Sequence, residues 1–169
     1  MKVKNKETLF QSYLKMEKIT LEHDDKTFIR ERLDKKNAVA GLVYNTNTKK
    51  FIFVSQWRPG PLDYIIEIPA GVKDVVGEDS ANCMIREINE EIGYSVNNII
   101  QLMPEFYLSP GYTNEKMTLF YCEVSEKIND GGGCESEDEY IDIIEMTLEE
   151  MLDYNFIDVK TILAIKSYM

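Results

Sequence analysis

A chain of 169 residues, 44% hydrophobic and 29% charged, has enough apolar side chains for one full core and too little length for two comfortable ones. Its net charge of −11 argues against nucleic-acid backbones and anionic membranes as partners. No apolar run approaches a membrane span, and the N-terminus, Met1-Lys-Val-Lys-Asn-Lys-Glu7, lacks the apolar core of a signal peptide. Three cysteines (Cys83, Cys122, Cys134), an odd number without metal-ligand spacing, fit a reduced cytoplasmic setting. His23 is the single histidine and sits in a polar stretch, which argues against a histidine-based mechanism.

Residues 8–33 read as extended. Leu14 and Met16, then Ile19 and Leu21, alternate with polar residues, and Phe28 to Arg32 follows a polar turn at Asp24-Asp25-Lys26. This predicts an N-terminal strand pair over 1–35, an arm of the same single domain (1–169) whose core spans 36–169. Ala38 to Tyr44 and Phe51 to Gln56 flank Asn45-Thr-Asn-Thr48, a hairpin pattern. Tyr64 to Ile68 is a further strand, running into Pro69-Ala70-Gly71. A helix is predicted over 80–92, then strands over 99–106, 116–123 and 140–146. Thr147-Leu-Glu-Glu150 is a capping-box start for a short helix. A last helix over 158–169 would place Ile162, Ile165 and Met169 on one face. Strands with helices interposed give an α/β fold with a mixed sheet.

The 80–92 helix carries the chemistry. At about 100° per residue, Ala81, Ile85, Ile88 and Ile92 form an apolar stripe, with Glu87 and Glu91 stacked on a different face and Glu90 beside them. Like charges at that spacing repel by a few tenths of a kcal/mol. A Glu-rich helix alone is an ordinary solvated face, but a divalent cation would turn the repulsion into a binding site. Gly93 offers a left-handed C-terminal cap.

The stretch Gly71 to Tyr94 resembles the Nudix box, Gly-x5-Glu-x7-Arg-Glu-U-x-Glu-Glu-x-Gly-U with U a bulky apolar residue. From Glu78 every fixed position matches: Arg86, Glu87, Ile88, Glu90, Glu91, Gly93 and Tyr94. Six residues rather than five separate Gly71 from Glu78, a one-residue insertion in the loop before the helix. The resemblance implies a Nudix fold, with a mixed sheet sandwiched by helices and an N-terminal antiparallel arm. It also implies a hydrolase using Mg²⁺, with Mn²⁺ as a substitute.

Resemblance to the ADP-ribose pyrophosphatase and nucleoside diphosphate sugar hydrolase branch extends from about Arg30 to the last helix. It rests on Glu67-Ile-Pro69-Ala70-Gly71, on Gln56-Trp57-Arg58, on Arg30-Glu31, and on Pro110 sixteen residues after Tyr94. By that likeness Glu87, Glu91, Glu139 and the Ala70 carbonyl would bind metal, with Glu90 a further ligand or catalytic carboxylate. Pro69 would leave its carbonyl side free to face a site. Arg30, Arg58, the backbone at Val72, and Glu115 would contact substrate. Gly131-Gly-Gly133 and the acidic run to Glu139 are similar to the branch's catalytic loop, with Glu137 at the position of the general base. The likeness further implies a homodimer in which Arg30 serves the partner's site. Asp158-x-Lys160-Thr161, with the three glycines, is also similar to GDP-mannose and UDP-sugar pyrophosphatases, so the preferred sugar nucleotide stays open. A non-catalytic module that senses nucleotide sugars is the rival from another class; such modules usually have a degraded box and a DNA-binding segment, and this sequence shows neither.

Overall fold

The computed structural model describes residues 1–133 and 140–169. The strands and helices, in chain order, are β1 (Lys2–Gln11), β2 (Lys15–His23), β3 (Lys26–Leu33), β4 (Ala38–Asn45), β5 (Lys50–Arg58), β6 (Asp63–Glu67), β7 (Ala70–Val72), α1 (Ser80–Ile92), β8 (Tyr94–Tyr107), β9 (Lys116–Lys127), β10 (Ile141–Met146), α2 (Leu148–Asp153) and α3 (Val159–Tyr168). They divide into two compact units, 1–37 with 107–116, and 38–106 with 117–169.

The first unit is built on a three-stranded antiparallel sheet in the order β1-β2-β3. The expected strand pair is therefore a triple. Every residue of β1 is exposed, so it buries no alternating apolar face, and that is the signal by which strands are read. Leu33 N–H donates to the Tyr112 carbonyl at 2.7 Å, and Lys35 pairs with the buried Glu115 at 2.9 Å. Ser109-Pro110-Gly111 forms a turn, with the Ser109 carbonyl accepting from Thr113 N–H at 3.1 Å.

In the second unit a mixed sheet runs β10-β5-β4-β9-β8, with β6 paired to β5 and β7 to β4. Strands β4 and β9 are parallel, while β4–β5, β5–β10 and β5–β6 are antiparallel. Both faces of the central strands are covered, which is why Ala38 to Val43 reads as a continuous apolar run rather than an alternation. Ile52 and Val54 of β5 join Cys83, Met84, Ile88 and Ile92 of α1 in one core. The alternate residue Phe53 stacks on Phe156 at 4.9 Å, and Phe51 meets Tyr168 of α3 edge-on. The helices thus sandwich the sheet.

Local chemistry explains the helix ends. Asp79 caps α1 by accepting from Asn82 N–H, and Gly93 closes it at φ 77°, its N–H donating to the Ile88 and Asn89 carbonyls. A side chain on Gly93 would meet the Asn129 carbonyl at 2.2 Å. Thr147 and Glu150 form the expected reciprocal capping box.

Three expectations change. The buried face of α1 consists of Cys83, Met84, Glu87, Ile88, Glu91 and Ile92, while Ile85 is exposed. Two sulfur-bearing side chains take core positions that the apolar stripe assigned to Ala81 and Ile85, rotating the face until it includes both glutamates. In α3 the buried residues are Lys160, Thr161, Ala164 and Ile165, whereas Met169 is exposed. A buried lysine and threonine cannot be read from apolar periodicity. Finally, Ala70 to Val72 forms a short strand against β4, too brief to register as a pattern.

Candidate active site

Helix α1 presents its carboxylates to the strand end that precedes it. Glu91, 2% exposed, accepts from the Ala70 N–H through Oε2 at 3.0 Å. Glu87, 9% exposed, lies so close to Gly71 that a Cβ there would stand 1.8 Å from the Glu87 carboxyl carbon. A side chain at position 71 would therefore have to push the Glu87 carboxyl aside, since the glutamate occupies the space it would need. The Pro69 carbonyl, expected to face a site, instead accepts from Gly41 N–H at 2.9 Å, because β7 continues onto β4.

Arg86 organises the outer edge. Its guanidinium reaches Glu87 at 2.8 Å, Glu90 at 2.9 Å, and Glu78 and Asp74 at 3.3 Å, and it donates to the Val72 carbonyl at 3.4 Å. Burial works against its charge, but Glu78, then Glu87 and Glu90, outweigh that and raise its pKa. The sequence marked Arg86 as a fixed position without giving it a task; its task is to tie four carboxylates to one loop and one helix. The loop between Gly71 and Glu78, which carries the extra residue, closes in a turn at 75–78, Glu78 N–H donating to the Val75 carbonyl at 3.3 Å, with Gly77 at φ +85°. Glu78 still reaches Arg86. Cys83 lies under the same edge, and burial, with Glu87 next, pushes its thiol up to about 12.

Arg58 ends β5 with its guanidinium on Glu67, which is 3% exposed and also holds the buried Lys160. Asp158 pairs with Lys160 at 3.1 Å and accepts from Thr161 Oγ1 at 2.7 Å, and that hydroxyl accepts from Ile68 N–H at 2.9 Å. Together with Pro61, Ile65 and Ile157 these charged groups line a pocket of about 450 Å³. Sequence reasoning had noted Asp158-x-Lys160-Thr161 but not its bond to Glu67.

Ala70, Glu87, Glu90, Glu91, Val72 and Arg58 thus all belong to the second unit. Val72 is 43% exposed. Arg30 and Glu115 belong to the first unit: Arg30 is exposed on β3, and Glu115 is buried against Lys35. Glu137 and Glu139 lie outside the described residues.

Among the described residues no group of three or more His, Cys, Asp or Glu converges as a complete metal cage. The donors present nevertheless fit a hard divalent cation. Carboxylate oxygens of two buried glutamates stand beside a strand end kept open by Gly71, and magnesium takes few protein carboxylates, filling its shell with water and phosphate oxygens.

The NUDIX domain profile matches residues 34–164. A methanol dehydrogenase activator from Bacillus methanolicus is 36% identical over 141 residues, covering 81% of this chain and 74% of that protein. A GDP-mannose pyrophosphatase from Cronobacter sakazakii is 35% identical over 132 residues (73% of this chain, 66% of that protein), and an ADP-ribose pyrophosphatase from Bacillus subtilis is 35% identical over 123 residues (73% and 64%). In these last two the match spans just under two-thirds of the relative. The crystal structure of an ADP compounds hydrolase matches with a TM-score of 0.79, covering 99% of this chain and 91% of that one at 21% identity, a likeness that shows the fold. With a profile that covers most of its length and a box helix built as described, the chain belongs to the Nudix family.

Proposed function

We propose that this protein hydrolyses the diphosphate of a nucleoside diphosphate sugar such as ADP-ribose, releasing a nucleoside monophosphate and a sugar phosphate. The observation that carries the reading is the seating of Glu87 and Glu91 against Ala70 and Gly71. Buried carboxylates need a cation or donor to offset their desolvation; Ala70 N–H serves Glu91 and Arg86 serves Glu87, and a divalent cation would add its charge to both. Mg²⁺, bound there with Mn²⁺ as a substitute, would neutralise the diphosphate and polarise phosphorus. Glu87, Glu91, the Ala70 carbonyl and Glu139 are the proposed ligands, with Glu90 in reserve on the Arg86 side. Arg58 would take a diphosphate oxygen, since a guanidinium matches phosphate geometry. Glu137 takes the proton from the attacking water, and the departing phosphate carries away the electrons of the broken P–O bond. Val72 lines the substrate through its backbone, and Glu115 contacts it. The N-terminal arm makes a homodimer in which Arg30 reaches the partner's site, and the whole works in the cytoplasm.

GDP-mannose is the second reading, favoured by the GDP-mannose pyrophosphatase relatives and by Lys160 standing with Arg58 on one pocket wall. Phosphate release after coupling to phosphatase, measured with ADP-ribose, GDP-mannose, UDP-glucose and ADP-glucose with and without EDTA, tests both. Turnover of none of the four, or turnover indifferent to EDTA, overturns the proposal. Glu137→Gln should lower kcat by about 10²–10⁴, while Glu135→Gln should be mild; the reverse order would move the base to Glu135.

A further inference from the structure

A second pocket of the second unit, about 250 Å³, is walled by Gln56, Trp57, Tyr64 and Tyr140. Its aromatics are set by strand register. Trp57 of β5 pairs directly with Tyr64 of β6. Ile141 pairs with Gln56, so Tyr140, one residue earlier, stands at the position opposite Trp57 on the other side. Three aromatic residues therefore lie abreast across three neighbouring strands, whose spacing is about 4.8 Å.

These rings are 47%, 61% and 78% exposed for Trp57, Tyr64 and Tyr140. Some aromatic rings of this unit meet one another, as Tyr121 does with Tyr168 at 4.9 Å and Tyr154 with Phe156 at 4.7 Å. Among the described residues no other ring pairs with Trp57, Tyr64 or Tyr140. The wall holds no cation, because the Arg58 guanidinium turns to Glu67. Phosphate would find nothing to neutralise it here. A flat ring would find stacking faces and one amide. The volume is below the ~300–1,000 Å³ usual for a whole drug-sized ligand, so it suits one ring system rather than a complete nucleotide.

We infer that Trp57, Tyr64 and Tyr140, with Gln56 at the wall, form a stacking subsite for a nucleobase. The assignment of that base to the substrate rests on the hydrolysis proposed above; the binding itself does not. Trp57 is the only tryptophan of the chain, so its fluorescence reports directly on the pocket. AMP, GMP and UMP, none of which carries a diphosphate to hydrolyse, should be titrated against the full chain, with ribose 5-phosphate as the partner lacking a base. At least one nucleotide should quench Trp57 saturably while ribose 5-phosphate does not. Tyr64→Leu and Tyr140→Leu, both exposed positions, should each weaken that binding about tenfold, as loss of one base–aromatic stack does. Both should raise KM with kcat unchanged.

Equal quenching by ribose 5-phosphate, quenching by none of the three nucleotides, or unchanged affinity in both folded variants overturns the subsite. Base-dependent quenching without turnover of any sugar nucleotide would sink the hydrolase reading and leave the subsite standing. Turnover without base-dependent quenching does the opposite.

Discussion

Two charged clusters of the second unit have opposite construction. Around Arg86, a single guanidinium faces Asp74, Glu78, Glu87 and Glu90, leaving a clear excess of negative charge. Around Glu67, a single buried carboxylate is held between Arg58 and Lys160, and Asp158 brings the group to balance. A balanced buried cluster is complete by itself. An unbalanced one at the base of a strand end is stable only while repulsion is tolerated or a cation arrives. The difference teaches that the first cluster keeps negative charge to spare, whereas the second neutralises its own charge while tying β6 to α3.

The strongest way to break this comparison is Glu91→Gln. The amide keeps an oxygen to accept from Ala70 N–H, so folding should survive, while loss of one proposed metal ligand, worth several kcal/mol, should reduce turnover about 10²–10³-fold. Steady-state rates at saturating Mg²⁺, with circular dichroism as the folding control, check it; activity within a fewfold of the parent means Glu91 is no ligand.

Glu67→Gln addresses the opposite cluster. Breaking a buried ion pair from one side typically costs about 3–5 kcal/mol, and Asp158 beside Lys160 should hold the loss to the lower end. Urea unfolding measures it. An unchanged midpoint together with a raised KM would make the cluster part of the substrate site instead of the frame.

Gly71→Ala should cost about 1–3 kcal/mol as an overpacked contact, because the new methyl group collides with the Glu87 carboxyl. The double variant Gly71→Ala/Glu87→Ala should recover most of that stability while remaining inactive. If thermal unfolding shows no such recovery, the glycine is required by something other than Glu87.

The smallest effect belongs to a third cluster, in the N-terminal sheet. The Lys15 ammonium, then Arg32, holds the Glu17 carboxyl below its ordinary 4.5, and Lys15 likewise lowers Asp34 from 3.8. A lowered folded pKa gives stability that is fully present above the ordinary value and is lost as pH falls through the folded one. The hydrogen-exchange protection factors of β2 and β3 should therefore fall below about pH 4.5, and Glu17→Gln should weaken that acid dependence. A Glu17→Gln profile that overlays the parent would remove this cluster from the stability of the sheet.

The box helix was legible because its features are local. Gly93 caps its C-terminus, and the fixed glutamates follow at helical spacing, whereas its N-cap, Asp79, was seen only in the structure. The hairpin at 45–49 and the capping box at Thr147 were legible for the same reason: turn and cap chemistry acts within four residues. The strand β1 escaped because it buries nothing, and β7 because three residues cannot show a period.

What the sequence alone determined is the identity and spacing of the box residues, hence the family and the kind of chemistry, since those depend on neighbours along the chain. Only the tertiary structure decided that Glu87 fills the space left by Gly71, that Arg86 gathers four carboxylates, and that Glu67 joins Lys160 across 93 positions. It also decided which side of α1 is buried, because Ile88 and Ile92 can share an apolar stripe with either Cys83 and Met84 or Ala81 and Ile85, and the fold encloses the first pair and exposes Ile85. Such contacts depend on which strand end meets which helix face, and no periodicity within either segment encodes that meeting.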